Sequence, residues 1–278
     1  MKAGTLAIGA AVLLVAGLAA ARLHYGQARP ATSSVVVTSS MLECACREVV
    51  GESPGEPLAV VCLLPPGSCP GHFDLSPRAR PALERASLIL RHDYQGALEE
   101  KIAQLARRKP AVVAVRSEDS LLIPGQYAAL LDEVARALGK SFPARAEEFH
   151  GRAEACRGKA AAWTQELQRR AQPWRGRRVI ASAHQKQFAQ WLGLEVAGEF
   201  RRAEDSTPQD LEKLMALKAQ GIIANLQEGT QAAQALGQRT GLPVVVFSNF
   251  PGAEGYGESY PELLRANLDR LEAAWARP

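Results

Sequence analysis

Leu63-Leu64-Pro65-Pro66-Gly67-Ser68-Cys69-Pro70-Gly71-His72-Phe73-Asp74-Leu75-Ser76-Pro77 places a histidine in a stiff Pro/Gly loop directly after an apolar run. Proline fixes φ and glycine opens conformations closed to other residues, so such a loop is a ligand position rather than a packing position. The preceding Leu58 to Leu64 reads as a buried strand. Arg78 to Leu90 reads as a helix entered through Ser76 as N-cap, with Pro77 in its first turn. His72 therefore falls at the carboxyl end of a strand, where open α/β sheets hold their ligands. A plain surface-loop histidine fits the same spacing.

Outward from this loop the chain divides into two α/β halves. Val35 to Thr38, Leu58 to Leu64, Ser87 to Arg91 and Ala111 to Val115 are strand-like runs separated by helical stretches; Val179 to Ser182, Leu194 to Ala197, Gly221 to Asn225 and Pro243 to Phe247 repeat the pattern. Alternation of this kind predicts parallel sheets flanked by helices, hence an α/β fold of two Rossmann-like lobes with a cleft between them. Between the halves, Phe149, Ala153, Cys156, Ala160, Trp163 and Leu167 recur at spacings of four and three, which makes one apolar face of a long helix over Pro143 to Gln172. The expected organisation is an N-terminal segment 1–28, a first lobe 31–140, a linking helix 141–172 and a second lobe 173–278.

With 278 residues, 47% of them hydrophobic and 22% charged, the chain can bury two modest cores. A formal charge of +4, two units of it from Lys2 and Arg22, and the lack of a basic stripe interleaved with aromatics argue against nucleic acid as a partner. Lys2, the charge-free apolar run Thr5 to Ala21 and then Arg22 read as an export signal, cleaved after Ala21 or Ala28, or alternatively as an uncleaved anchor. The expected location is periplasmic or otherwise extracytoplasmic. No Gly-x-Ser-x-Gly elbow, His-Glu-x-x-His helix or phosphate-binding Gly-x-x-x-x-Gly-Lys loop occurs, so no enzyme is expected.

His184 is the second candidate, because it follows the short β run Arg178 to Ala183 and precedes the amphipathic stretch Gln187 to Leu192. Imidazole is a common ligand of zinc and other borderline metals, although a strand-end histidine also serves as a hydrogen-bonded structural group. The loop from Leu63 to Pro77, the strand and turn Val35-Val36-Val37-Thr38-Ser39-Ser40, the strand Val179 to Ala183 ending in His184, and the closing segment Ser259 to Leu268 together resemble the metal-binding solute receptors of zinc and manganese ABC transporters. The resemblance runs from about Val35 to Trp275. It implies two lobes crossed by a long helix that limits their hinge motion, a divalent metal held between them by His72 and His184, and delivery to a membrane permease by a monomeric receptor. Zinc is the expected ion, with Mn²⁺ or Cu⁺ as alternatives.

The sequence departs from that family pattern at two ligand positions. Where a second histidine is expected the chain reads Ser120-Leu121-Leu122-Ile123-Pro124-Gly125-Gln126-Tyr127, and the usual aspartate turn is replaced by Phe247-Ser248-Asn249-Phe250. His92, past the apolar run Ser87 to Leu90, is the best replacement. Glu228, in Asn225-Leu226-Gln227-Glu228-Gly229, matches a glutamate often seen in the family at this turn, and Cys69 is a softer donor on the loop of His72. Each also has an ordinary reading: a polar strand end, a helix-terminal carboxylate, half of a disulfide. Five cysteines in an oxidising compartment allow bridges, with Cys62 or Cys69 as partners for Cys44 or Cys46. Two functions follow: a metal receptor of an ABC importer with His72, His184, His92 and Glu228 as ligands, or a metal-free interaction or structural protein on the same fold.

Overall fold

The computed structural model describes residues 33–52, 57–65, 68–72, 75–117 and 120–276, with the His72 side chain excepted. The proposed signal or anchor, together with Phe73, Asp74, Glu118 and Asp119, lies outside the described residues. Among the described residues no helix is long and apolar enough to cross a membrane.

The first lobe is built on strands β1 (Ser34–Val37), β2 (Ala59–Cys62), β3 (Ala86–His92) and β4 (Ala111–Val115), all parallel, in the order β2-β1-β3-β4. Its helices are α1 (Ser40–Val50), α2 (Arg80–Arg85), α3 (Leu98–Leu105) and α4 (Pro124–Ser141). A single helix, α5 (Ala146–Ala171), leads into the second lobe. There β5 (Arg178–Ser182), β6 (Glu195–Phe200), β7 (Ile222–Asn225) and β8 (Val244–Phe247) form a second parallel sheet in the equivalent order β6-β5-β7-β8, with α6 (Lys186–Trp191), α7 (Pro208–Met215), α8 (Gln231–Thr240) and α9 (Tyr260–Trp275) around it. Strands covered on both faces must be apolar along their whole length, and Val35, Val36 and Val37 of the central β1 are all fully buried.

Two expectations fail locally. The stretch Arg78 to Leu90 is not one helix: Ser76 caps a 3-10 turn over Pro77–Ala79, α2 ends at Arg85, and the chain is strand from Ala86. Leu88, Ile89 and Leu90 pair with Val35, Val36 and Val37, and this pairing draws a run that suits a helix face equally well into the sheet. β2 is not a buried strand but an edge strand, half-buried along most of its length.

The long helix α5 is continuous across Gly151 and Gly158, 26 residues or about 39 Å long. It buries Phe149, Ala153, Cys156, Ala160 and Leu167, the face marked by the spacing. One apolar core runs through both lobes, from Val35 to Trp275, and smaller clusters lie around Ile89 in the first lobe and Ile222 in the second. The lobes are joined where α9 of the second comes back to the first. Tyr260 stacks on Tyr127 of α4 with centroids 3.6 Å apart, and Trp163 of α5 packs against both rings. Arg170 at the end of α5 bridges Asp269 and Glu272 of α9.

None of the five cysteines is in a disulfide, so the bridges that the composition allows are not formed. Burial pushes the Cys44, Cys46 and Cys62 thiols up to about 12 and the Cys156 thiol to about 11. Thiolate is the reactive form, so these four should react with an aromatic disulfide reagent orders of magnitude more slowly in native than in denatured protein at neutral pH. Rapid native labelling at any of the four, located by peptide mapping, would contradict this burial.

Candidate metal site at the carboxyl ends of the two sheets

In each sheet the chain winds one way from its central strand and then crosses to the other side, so the strand order reverses between β1 and β3 and between β5 and β7. Crevices open at the carboxyl ends of such switch points. Ser39 and His92 occupy the first, and Ser182, His184 and Glu228 the second.

At the second, β5 ends at Ser182 and the 3-10 turn Ala183–Gln185 carries His184 out of the sheet, leaving its side chain 63% exposed. Glu228 follows β7, and its side chain is only 8% exposed. Its backbone N–H donates to Asn225 Oδ1 at 3.0 Å, which shapes the turn, and one carboxylate oxygen accepts from Ser182 Oγ. The other lies 3.4 Å from His184 Nε2. A buried carboxylate fixed by a serine beside an exposed imidazole could offer a metal ion two oriented donors. Amides surround it: Gln185 Nε2 donates to Asn249 Oδ1 at 2.8 Å, and Asn249 N donates to Gln227 Oε1 at 3.0 Å. Gln185 Oε1 and Asn225 Nδ2 are buried without a hydrogen-bond partner among the described residues.

At the first, His92 is fully buried rather than presented to a cleft. Its Nε2 is 2.7 Å from Ser39 Oγ, its Nδ1 meets Ser117 Oγ, and the Tyr94 ring stacks on it at 5.0 Å. Ser39 also caps α1 through Leu42 N. Both imidazole nitrogens are thus engaged, and His92 can ligate a metal only after a serine releases it. Burial lowers its pKa from the usual 6.5 to about 3. The folded protein then keeps His92 neutral while the unfolded chain protonates it, so the associated stability is present above pH 6.5 and is lost as pH falls towards 3. Between about pH 6 and 4 the wild type should lose about 1.4 kcal/mol per pH unit more than His92→Gln, measured by urea unfolding; equal slopes would refute the assignment.

The turn Pro70–His72 is tied to this end of the sheet by Gln95, whose Nε2 donates to Pro70 O at 3.0 Å while its Oε1 accepts from Thr38 Oγ1 at 2.6 Å and from His92 N at 2.9 Å. The backbone of His72 is therefore placed beside the strand end that carries His92. The geometry brings His184 and Glu228 together, and places His92 and the His72 turn at the matching end of the other lobe. Among the described residues, no three His, Cys, Asp or Glu side chains form a group able to hold a metal ion. Gln95, Ser39, Ser117 and Ser182 were not marked by the sequence; the only signal for them is a polar residue at or just past the end of an apolar strand.

Two parallel α/β lobes of equivalent strand order, joined by one continuous helix, have the architecture of the two-lobed solute receptors. A family model for the periplasmic component A of the zinc-uptake complex, ZnuA, matches residues 35–274, and the chain belongs to that family of metal-binding receptors of ABC transporters. This is a transport family rather than an enzyme family. Solved structures share the fold: the laminin-binding protein Lmb of Streptococcus agalactiae, described as bifunctional with adhesin and metal-transporting activity, is 20% identical over 87% of this chain and 99% of its own, with TM-score 0.72. A ZnuA crystal structure is 14% identical over 87% and 99%, with TM-score 0.71. A manganese-bound periplasmic metal-binding protein from Candidatus Liberibacter asiaticus is 15% identical over 87% and 100%, with TM-score 0.70. No curated protein sequence matches the chain.

Proposed function

We propose that this receptor captures a zinc-like divalent ion between its lobes and passes it to an ABC membrane permease, acting as an exported monomer. The reading rests on the pair His184 and Glu228, one buried and serine-bound, the other exposed, 3.4 Å apart at the second switch point. Nitrogen and carboxylate donors suit Zn²⁺, and Mn²⁺ is the nearest alternative; Cu⁺ would call on Cys69. His72 completes the set from the first lobe, with His92 joining only if Ser39 or Ser117 yields its ring nitrogen.

Elemental analysis of protein isolated from the cell envelope without chelator, followed by calorimetric titration of the stripped protein with zinc, manganese and copper, tests the reading. Stoichiometric zinc is the expected result. The second reading, an interaction protein that has lost its ion, is favoured by the locked state of His92. Absence of both bound metal and titration heat would establish it over the first.

A further inference from the structure

Gln95 ends the 3-10 turn Asp93–Gln95 that follows β3, and its side chain is buried. One amide there joins three strand ends. Its Oε1 accepts from Thr38 Oγ1, just past β1, at 2.6 Å, and from the backbone N–H of His92, the last residue of β3, at 2.9 Å. Its Nε2 donates to Pro70 O, in the turn beyond β2, at 3.0 Å, and that bond is buried too. The two ends of the amide cannot be exchanged, because a backbone N–H only donates and a carbonyl only accepts.

We propose that Gln95 is a positioning residue for ion capture: it fixes the turn Pro70–His72 against the carboxyl end of the first sheet and so sets where His72 meets the ion. The role of His72 rests on the metal-receptor reading; the hold of Gln95 on the turn does not. The second lobe supplies an independent parallel. Its strand order is equivalent, so β7 corresponds to β3. Asn225, the last residue of β7, is buried, and its Oδ1 accepts from Glu228 N at 3.0 Å, which shapes the turn of the other lobe's donor. In both lobes a buried neutral amide at the end of an inner strand therefore holds a turn that carries a candidate ligand. An ionised carboxylate in place of Gln95 has no hydrogen to give to Pro70 O, and a hydroxyl is too short to span the three partners. Groups that orient ligands in this way are worth about 10- to 100-fold in metal affinity.

Gln95→Met keeps the length of the side chain and removes all three hydrogen bonds. NMR relaxation of the Gly71 and His72 amides in metal-free protein reads the hold on the turn: their order parameters should fall from about 0.85 to below about 0.6, while those of Val36 and Ile89 in the sheet stay unchanged. Zinc affinity, measured by competition against a chromophoric chelator, should fall about 10- to 100-fold. In a His72→Ala background the same substitution should have no further effect, because no imidazole is left to place. Thr38→Val, which takes a single bond from the same amide, is the milder variant and should give a smaller loss with the same dependence on His72. Unchanged order parameters would overturn the proposal, as would a loss of affinity equal in both backgrounds, which would mark a general effect on the fold. Affinity that survives His72→Ala would remove His72 from the site and the proposal with it. Wild type that binds no zinc would end the metal reading, while the relaxation measurement still decides whether Gln95 holds the turn.

Discussion

His184→Ala should lower zinc affinity at least about 100-fold, or about 2.7 kcal/mol, measured by competition against a chromophoric chelator. The imidazole is the exposed member of the pair at the second switch point, and alanine leaves Glu228 with Ser182 as its side-chain partner. Glu228→Gln keeps the shape and can still meet Ser182, yet removes the charge that would face an ion held there. Loss of an oriented carboxylate should cost about 10- to 100-fold, while the melting temperature stays close to that of the wild type. Ser182→Ala separates direct ligation from orientation: a loss smaller than that of Glu228→Gln is expected. Affinity unchanged in both His184→Ala and Glu228→Gln would remove this lobe from the site.

The largest effect on stability is expected at Tyr260. Its ring is fully buried, stacked on Tyr127 at 3.6 Å and packed against Trp163 at 5.3 Å, so Tyr260→Ala opens a cavity at the join of the two lobes. Truncations of buried aromatics cost about 3 to 5 kcal/mol, a large part of the stability of a typical domain. The hydroxyl behaves oppositely. It is buried without a hydrogen-bond partner among the described residues, so Tyr260→Phe removes an unsatisfied polar atom and should be neutral or stabilising by up to about 1 kcal/mol. Denaturant unfolding of the two variants checks both signs. A loss of several kcal/mol for the phenylalanine variant would show that the hydroxyl has a partner in solution.

Most of the architecture is legible in the sequence because parallel strands leave a plain trace. The runs at Val35, Ala111, Val179, Ile222 and Val244 are apolar without alternation, and all became strands within a residue or two. The long helix was equally readable, since its buried residues keep one face through five turns. Ser87 to Leu90 fitted both a helix end and a strand because the run is too short to carry its own periodicity, and pairing with β1 decided for the strand. The geometry of the candidate site was half legible. His184 and Glu228 are 44 positions apart, and strand ends brought them together as the pattern implied. What the pattern does not contain is which nitrogen a neighbouring hydroxyl will occupy. His92 occupies a strand end, as a ligand does, and is instead enclosed by Ser39, Ser117 and Tyr94, residues whose approach depends on three separate loops.

The return of α9 to the first lobe has a consequence for how the protein is made. Tyr260 and Trp275 belong to the core that also contains Val35 and Tyr127, so that core lacks a wall until α9 has been synthesised. A polypeptide growing from its N-terminus therefore presents the aromatic face of the first lobe uncovered for some 130 residues of elongation, from Tyr127 until Tyr260 emerges. The closing helix thus supplies the last wall of the shared core: a chain that stops short of Tyr260 leaves Tyr127 and Trp163 without the ring that packs on both.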